Sequence, residues 1–285
     1  MIVNTLKLTF KELPVGLQQI DKPPEQIFYI GSLETALGQP TVAVVGSRKP
    51  TAYGRQVTEQ LVSALARRGV TIISGLAYGI DALAHQTTLV NGGRTVAVLP
   101  VNLDRIYPVA HNQLADRIVA GGGALMSEYP SGSLTRLHHF IERNRLISGL
   151  AQVIVIPEAT AKSGSLSTAR FGLDQGKTMM AVPGKITSAV SEGCNQLIKS
   201  GATPITGVSD ILRELNIADG PAGQIVFRGT PAEERIYKLI LGGLADQEML
   251  IGQSGLEAAA VNSVLTSLEI GGYIRPDGGG RWSAI

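Results

Sequence analysis

The stretch Val42-Ala43-Val44-Val45-Gly46-Ser47-Arg48 joins a short apolar run to a glycine, a hydroxyl and a cation. Such a run of small and β-branched residues is typical of a strand buried on both faces of a parallel sheet. A second stretch repeats this order, with Val153-Ile154-Val155-Ile156-Pro157 followed by Lys162-Ser163-Gly164-Ser165. Each predicts a strand, a loop and the start of a helix, where free N–H groups and a positive charge bind anions. We expect phosphate at both junctions.

Apolar runs recur along the chain and alternate with segments of helical period. They fall at residues 42–45, 70–73, 95–99, 124–126, 153–156 and 179–182. Strands that alternate with helices form a doubly wound parallel sheet. Glycines stand where the helices should stop, at Gly69, Gly92, Gly121 and Gly176. The sequence therefore predicts an α/β fold with an extended Rossmann-like sheet.

The same patterns predict the domain organisation. Residues 1–39 contain several prolines and one short strand-like segment, which indicates an N-terminal strap packed on the core. Residues 40–217 form the Rossmann-like domain. Residues 218–230 have the Asp, Gly, Pro and Ala composition of a linker. Residues 231–285 show three helical segments and then a glycine-centred hairpin, which predicts a winged helix-turn-helix domain.

The composition predicts a soluble globular protein, since 44% of the 285 residues are hydrophobic and 17% are charged. No apolar run approaches the ~20 residues that cross a bilayer, and the first ten residues lack a signal-peptide pattern. We therefore expect no membrane anchor and a cytoplasmic location. The one cysteine, Cys194, excludes an internal disulfide and a cysteine-rich zinc site. A net charge of +2 permits a nucleic-acid partner without indicating one.

Two of the predicted loops carry groups that either bind an anion or orient the N–H groups around it. Gly46 admits a ligand close to the strand end, and Arg48 has a planar fork of donors that suits phosphate oxygens. By itself, the triplet Gly46-Ser47-Arg48 also fits a glycine turn whose arginine pairs with a carboxylate. The segment from Ser74 to Asp81 also follows a strand. We interpret Asp81 as a cap or an orienter of neighbouring N–H groups, because acidic residues are favoured in first helical turns.

A third segment, from Phe140 to Ser148, lies on a predicted helix. Arg143 and Arg145 are two residues apart and so point to different helix faces. We expect one of them to meet a phosphate and the other to pair internally. Phe140 either packs in the core or forms a platform for a nucleobase. The fourth segment, Lys162-Ser163-Gly164-Ser165, predicts a phosphate cradle at a helix N-terminus.

Several catalytic or metal-binding interpretations fail on spacing. The segment from Gly172 to Thr178 has three residues between its glycines, where a Walker loop needs four, and it precedes a strand. Asp81 and His85 share a helix face and His138 is next to His139, but neither group has a third metal ligand at suitable spacing. The serines lack the G-x-S-x-G elbow of serine hydrolases. We predict no ATP site, no metal site and no catalytic serine.

Taken together, the four segments resemble the motifs of the DprA/Smf family of bacterial DNA-processing proteins. Tyr53-Gly54 follows the first motif, and the stretch from Pro23-Pro24 to Gly31 resembles the family's entry strap. The resemblance covers most of the chain. It implies a Rossmann-like core that binds single-stranded DNA without sequence preference and forms a homodimer. It also implies a protein that protects incoming DNA and helps load a RecA-type recombinase during natural transformation and recombination.

The resemblance further implies that the protein is not an enzyme and uses no cofactor. Matching positions become candidate DNA-binding residues: Gly46, Ser47, Arg48, Phe140, Arg143, Lys162, Ser163, Gly164 and Ser165.

The alternative function is that of a Rossmann-like nucleoside-monophosphate phosphoribohydrolase of the LOG type. Those enzymes resemble this chain in fold but use a P-G-G-x-G-T-x-x-E junction, whose glutamate acts on the ribose. Thr168 stands where that glutamate would fall. A hydroxyl cannot replace a carboxylate in stabilising an oxocarbenium-like centre, so we favour the binding protein.

The C-terminal domain gives its own prediction. Its third helical segment, residues 256–269, has two carboxylates and neither lysine nor arginine, so it would repel DNA phosphates. We expect this domain to mediate protein contacts or self-association, with Trp282 packed on its own core.

Overall fold

The computed structural model describes residues 5–218, 230–270 and 273–284. The chain divides into two compact units, Met1–Gly223 and Gln224–Ile285. Residues 219–229 of the predicted linker lie outside the described residues. Within the described part of the chain, no helix is long and apolar enough to span a bilayer.

The first unit is built on one nine-stranded sheet. Its strands, in chain order, are β1 Leu6–Thr9, β2 Gln26–Gly31, β3 Thr41–Val44, β4 Thr71–Ser74, β5 Thr95–Leu99, β6 Ala124–Ser127, β7 Val153–Ile156, β8 Thr178–Ala181 and β9 Thr203–Pro204. The order across the sheet is β1-β2-β6-β5-β4-β3-β7-β8-β9. All pairs from β6 to β9 are parallel, whereas β1 and β2 pair antiparallel at one edge.

Helices connect these strands and cover both faces of the sheet. They are α1 Val15–Gln18, α2 Leu33–Leu37, α3 Ala52–Ala66, α4 Ile80–Val90, α5 Asn112–Ala120, α6 His139–Glu142, α7 Asn144–Leu150, α8 Ser165–Asp174, α9 Glu192–Lys199 and α10 Val208–Glu214. Short 3₁₀ turns lie at Phe10–Glu12, Val109–His111 and Ala189–Ser191.

The alternation of side chains along β3 shows how the sheet is buried. Val42 and Val44 belong to the hydrophobic cluster that contains Leu61 and Leu65 of α3. Ala43, one residue away, belongs to the opposite cluster, which also contains residues of α7 and α8. Successive side chains of a strand point to opposite faces, so a strand covered on both sides must be apolar throughout. The prediction of a doubly wound sheet is confirmed.

The six predicted core strands agree with the structure to within one residue at every end. The four predicted helix-stop positions coincide with turns, and Gly69, Gly92 and Gly176 adopt the positive φ that glycine favours. The N-terminal segment is more structured than a strap, because β1 and β2 extend the sheet beyond β6.

The second unit has three helices followed by a hairpin: α11 Pro231–Leu241, α12 Gln247–Ser254, α13 Ala258–Ile270, β10 Ile274–Gly278 and β11 Arg281–Ala284. Thr230 and Glu233 form a capping box at the start of α11. The core contains Ile236, Leu250 and Leu265, and Trp282 packs against it as predicted. This arrangement has the form of a winged helix.

Candidate nucleic-acid interface

The sheet order creates a crevice at the carboxyl end of β3. The chain runs from β3 outward through β4, β5 and β6 in one direction and then returns to β7 on the other side. In open α/β sheets, ligands bind at this change of direction, outside the carboxyl ends of the strands. The loops after β3, β4 and β7 meet there.

A cleft of ≈ 510 Å³ occupies this position. It brings together eight of the nine candidate residues that were predicted from the sequence: Gly46, Ser47, Arg48, Phe140, Arg143, Ser163, Gly164 and Ser165. Lys162 is exposed and precedes Ser163 in the chain, but its side chain does not line the cleft. The tertiary structure therefore assembles the two anion junctions into one site.

The loop after β3 is held by its backbone, which leaves its cations free. Ser47 donates its N–H to the carbonyl of Glu158 at 2.8 Å and accepts one from Ile80 at 3.1 Å. A Cβ at position 46 would lie 2.8 Å from that same Glu158 carbonyl, so only glycine fits. Arg48 is exposed, and no carboxylate pairs with it anywhere in the described part of the chain.

Sequence reasoning missed Lys49, which also lines the cleft and is exposed. Among the described residues it forms no ion pair. The available signal was its position directly after Arg48, because two consecutive cations in a loop that follows a buried strand double the charge offered to an anion.

Glu158 links the loop after β7 to the start of α3. Its carboxylate accepts the backbone N–H of Thr51 at 3.1 Å and the hydroxyl of the same residue. A Cβ at position 54 would meet the Glu158 carboxylate at 2.7 Å, which explains the glycine that follows Tyr53. Glu158 is 3% exposed, so this polar contact fixes the spacing of the two loops that carry the junctions.

Asp81 and Arg143 form the buried centre beneath the cleft. Asp81 accepts the N–H of Gly75 at 3.1 Å and further backbone N–H groups at Ala77 and Gly46. The interpretation of Asp81 as an orienter of N–H groups is confirmed. Burial raises the pKa of Asp81, while the adjacent Arg143 charge and the N–H donors act in the opposite direction. Burial also lowers the pKa of Arg143 to about 10.

The expectation that one of the two arginines pairs internally is confirmed for Arg145, and contact of the other with phosphate stays a prediction. Arg143 is 6% exposed and donates to the carbonyls of Gly75 and Val98. Arg145 forms an ion pair with Glu128 at 2.7 Å. The candidate Arg143 therefore holds the loops beneath the cleft, which it also lines.

Hydroxyl groups line the start of α8. The Oγ atoms of Ser163 and Ser165 lie 2.8 Å apart, and Asn144 donates its Nδ2 to Ser167 at 2.7 Å. The N-cap residue Gly164 is exposed and has no side chain, while Ser163 accepts the Ser165 N–H through Oγ at a long 3.4 Å. Backbone N–H groups at a helix N-terminus bind the oxygen atoms of a phosphate, and small residues there let the phosphate approach closely.

An aromatic cavity of ≈ 110 Å³ adjoins the cleft and shares Arg48 and Arg143 with it. Its walls include Tyr78, Tyr107 and Phe140. The rings of Tyr107 and Phe140 meet edge to face, with centroids 5.2 Å apart. Phe140 is half-buried at the cleft wall, while Tyr78 and Tyr107 are about half exposed. Exposed ring faces offer stacking surfaces for bases. Sequence reasoning missed both tyrosines.

A third cavity, of ≈ 660 Å³, is lined by Thr51 and by residues that follow β8. Tyr53, Glu158 and Lys185 are among its lining residues, and Tyr53 donates its hydroxyl to the Pro183 carbonyl at 3.2 Å. The aromatic cavity is lined largely by loops after β4 and β5, the central cleft by loops after β3 and β7, and the third cavity by loops after β7 and β8. Since these strands are neighbours in the sheet, the cavities form a row along its carboxyl edge.

The structure also shows a potential metal ligand that sequence reasoning did not find. Glu142 lies beside His138 and His139, so the histidine pair has a third potential metal ligand.

Comparison with known proteins agrees with this architecture. The family model for DNA recombination-mediator protein A matches residues 4–216, and the model for the DprA winged helix domain matches residues 221–280. The chain belongs to the DprA family. The family resemblance and the winged-helix prediction are therefore confirmed.

Individual DprA proteins show how close the relationship is. The chain is 38% identical over 213 residues to DNA processing protein DprA of Bacillus subtilis, which covers 75% of this chain and 71% of the relative. The crystal structure of DprA from Streptococcus pneumoniae matches with a TM-score of 0.69 and 37% identity, covering 73% of this chain and 74% of the other. DNA processing protein A from Helicobacter pylori matches with a TM-score of 0.68 and 31% identity, covering 75% and 97%.

Proposed function

We propose that this chain binds single-stranded DNA without sequence preference along the carboxyl edge of its sheet. The observation that carries the proposal is a set of exposed cations around one cleft, Arg48, Lys49 and the nearby Lys162, which form no ion pair with another described residue. Basic side chains along the path of the DNA backbone neutralise its phosphates. Aromatic rings such as that of Phe140 stack on any base. This combination gives affinity without reading sequence.

A relative supports the proposal. The Helicobacter pylori DNA processing protein A, 31% identical to this chain, has a single-stranded DNA binding mode that was described from its structure. Because the candidate residues here converge in the same family fold, we extend this ligand to the present chain.

The wider role is proposed on family grounds. As a member of the DNA recombination-mediator family, the protein protects incoming single strands and helps load a RecA-type recombinase in the cytoplasm during natural transformation and recombination. It does so as a homodimer, since two grooves on one long strand raise the effective affinity through multivalency. Because the strand is held mainly by its phosphates, its bases stay partly exposed and a second protein can bind them.

We propose that the protein is not an enzyme. Thr168, at the position of the LOG-type glutamate, is 1% exposed and brings no carboxylate into the central cleft. Among the described residues that line this cleft, Asp81 is the only carboxylate, and it is committed to backbone N–H groups and Arg143. Hydrolysis of a nucleoside monophosphate needs a carboxylate that is free to act on the ribose.

The test compares fluorescence anisotropy of single-stranded and duplex oligonucleotides of equal length, with several base compositions. We expect tighter binding of single strands and similar affinities for all compositions. A parallel assay measures base release from nucleoside monophosphates, and we expect none. Steady base release that is lost on mutation of Ser163 to Ala would support the phosphoribohydrolase instead.

Recombinase loading has a separate readout. A RecA-type recombinase shows DNA-dependent ATP hydrolysis, which is slow to start on DNA already covered by a single-strand binding protein. We expect this chain to shorten that delay. An unchanged delay, with single-stranded DNA binding intact, would remove the loading role and leave the DNA-binding role.

A further inference from the structure

Two imidazoles and a carboxylate gather around α6, outside the residues that line the cleft. Their ligand atoms, one each from His138, His139 and Glu142, all lie within 4.8 Å of one another. Glu142 donates its N–H to the His138 carbonyl at 3.0 Å, so the two residues occupy one helical turn and share a face. The three groups thus converge through local backbone geometry.

The spacing is close to what a single ion requires. Zn²⁺ is held at about 2.0–2.2 Å by nitrogen and oxygen ligands, so ligand atoms around one tetrahedral ion are about 3.3 Å apart. His138 and Glu142 are exposed, and their side chains can close the remaining gap by rotation. His139 is 8% exposed and stacks on Tyr129, with centroids 3.9 Å apart, so it provides a fixed anchor.

Few competing contacts hold these groups. The Nδ1 atom of His139 accepts the Arg136 N–H at 3.4 Å, and Glu142 accepts the Tyr129 hydroxyl at 3.3 Å. Both distances are at the long end for hydrogen bonds, so an ion displaces little.

We propose that His138, His139 and Glu142 bind a divalent transition-metal ion of the Zn²⁺ type, with its remaining positions open to water. Imidazole ligands suit Zn²⁺, Co²⁺, Ni²⁺ and Cu²⁺, whereas Mg²⁺ and Ca²⁺ prefer sites made of oxygen alone. Three protein ligands leave at least one position open.

The site has a structural consequence for the cleft. Phe140 stands in the chain between the ligands His139 and Glu142, and it forms part of the cleft wall. An ion that joins both ends of α6 restricts the backbone that carries this ring. The metal site itself stands independently of the proposed DNA function, because it is measured on the protein without DNA.

The experiment titrates the full chain, free of any polyhistidine tag, with Zn²⁺ by calorimetry and with Co²⁺ by visible absorption. We expect one ion per chain, a Co²⁺ band typical of four or five ligands, and no competition from equimolar Mg²⁺. His138→Ala and Glu142→Gln each remove an exposed ligand and leave the Tyr129 stack in place. Changes outside the first coordination sphere already weaken metal binding by ~10–100-fold, so we expect losses of at least ~10-fold.

His111→Ala is the matched control, because His111 donates its Nδ1 to the Leu76 carbonyl and is not one of the three ligands. It should bind Zn²⁺ as the unmodified chain does. The proposal is overturned if the unmodified chain gives no Co²⁺ band, or if His138→Ala and Glu142→Gln both bind Zn²⁺ with unchanged affinity. A loss of binding in His111→Ala that equals the loss in His138→Ala would also overturn it.

Discussion

The guanidinium group of Arg143 donates a hydrogen bond from Nη1 to the carbonyl of Gly75 at 2.9 Å. It also donates to the Val98 carbonyl in β5 and, at 3.1 Å, to Asn144. One side chain thus ties α7 to the loop after β4 and to β5. A Cβ at position 75 would lie 2.7 Å from this guanidinium, so the glycine makes the contact possible. The arginine supports the cleft from below.

Replacement of this arginine should destabilise the fold. Arg143→Ala removes the buried donor to the Gly75 and Val98 carbonyls and the positive charge near Asp81, and loss of a hydrogen bond from a charged group costs about 1.5–3 kcal/mol. We expect this loss in the free energy of unfolding, measured with urea. Arg48→Ala, an exposed arginine at the same cleft, should stay within about 0.5 kcal/mol of the unmodified chain. Equal midpoints for both variants would contradict the positioning role.

The exposed cations should control affinity and salt dependence. Each phosphate contact to a single strand contributes ~0.7 to the slope of log K against log salt. We expect Arg48→Ala and Lys162→Ala each to weaken single-stranded DNA binding for all sequences alike and to reduce this slope by ~0.7. Lys49→Ala should act in the same way, since Lys49 lines the cleft.

Arg94→Ala is the matched control for the cation variants. Arg94 is exposed and immediately precedes β5, so it lies at the opposite end of the parallel strands. The Arg94→Ala protein should have the same affinity for single-stranded DNA and the same salt slope as the unmodified chain. Folded Arg48→Ala and Lys162→Ala proteins with unchanged affinity and slope would show that the DNA path lies elsewhere.

The ring of Phe140 should contribute through stacking. Base stacking on an aromatic side chain is worth ~1–3 kcal/mol by substitution. Phe140→Leu keeps the apolar volume and removes the ring, so we expect weaker binding of single-stranded DNA by up to that amount. The salt slope should not change, because no charge is lost. Unchanged affinity would favour a purely structural role for Phe140.

A buried histidine should make stability depend on pH. Thr95 donates its hydroxyl to the Ile72 carbonyl and therefore accepts Nδ1–H of His85 at 2.7 Å. The other ring nitrogen, Nε2, is buried and has no hydrogen-bond partner in the described part of the chain. Burial lowers the pKa of His85 to about 3, with further lowering by His111 and Arg143. The folded protein therefore keeps this ring neutral at pH 5.

The direction of the pH effect on stability follows from the protonation of His85 in the folded and unfolded states. Between pH 7 and 5 the unfolded chain protonates this histidine, near its ordinary pKa of about 6.5, while the folded chain does not. This difference should lower the free energy of unfolding by about 2 kcal/mol over that range. In His85→Asn that part of the loss should disappear, and in His138→Asn, an exposed control, it should remain. Denaturant unfolding at both pH values provides the measurement.

The C-terminal unit should be dispensable for most DNA affinity. The exposed positions of α13 include Asn262, Thr266 and Glu269, and the helix has no lysine or arginine. Such a surface repels phosphates. We expect a chain truncated after Ala218 to retain most single-stranded DNA affinity. Loss of nearly all binding, with self-association intact, would make the winged helix the main DNA-binding unit.

Local patterns in the sequence were sufficient for the six central strands and for the family resemblance, whereas β1 and β9 were not predicted. The apolar runs predicted the core strands because a strand covered on both faces must be apolar at every position. The third helix and hairpin of the C-terminal unit were likewise predicted from periodicity and from the glycine turn. Asp81 was interpreted correctly because an acidic side chain at a helix start has few other uses.

Side-chain roles that depend on distant contacts were not available from the sequence. Arg48 and Arg143 are chemically identical, yet Arg48 is exposed and Arg143 is 6% exposed. Burial depends on which loops cover a residue, and those loops are far away in the chain. The same reason applies to Tyr107, which meets Phe140 only after folding.

The sequence by itself determined the six central strands and the chemical groups at each junction, because these follow from neighbours along the chain. Only the tertiary structure decided which groups face the cleft, since it places β3 beside both β4 and β7 and brings their loops together. It also decided that Glu158 contacts Thr51, 107 residues earlier. Hydrogen-bond partners of buried groups must be found wherever the fold supplies them, and sequence separation does not restrict that choice.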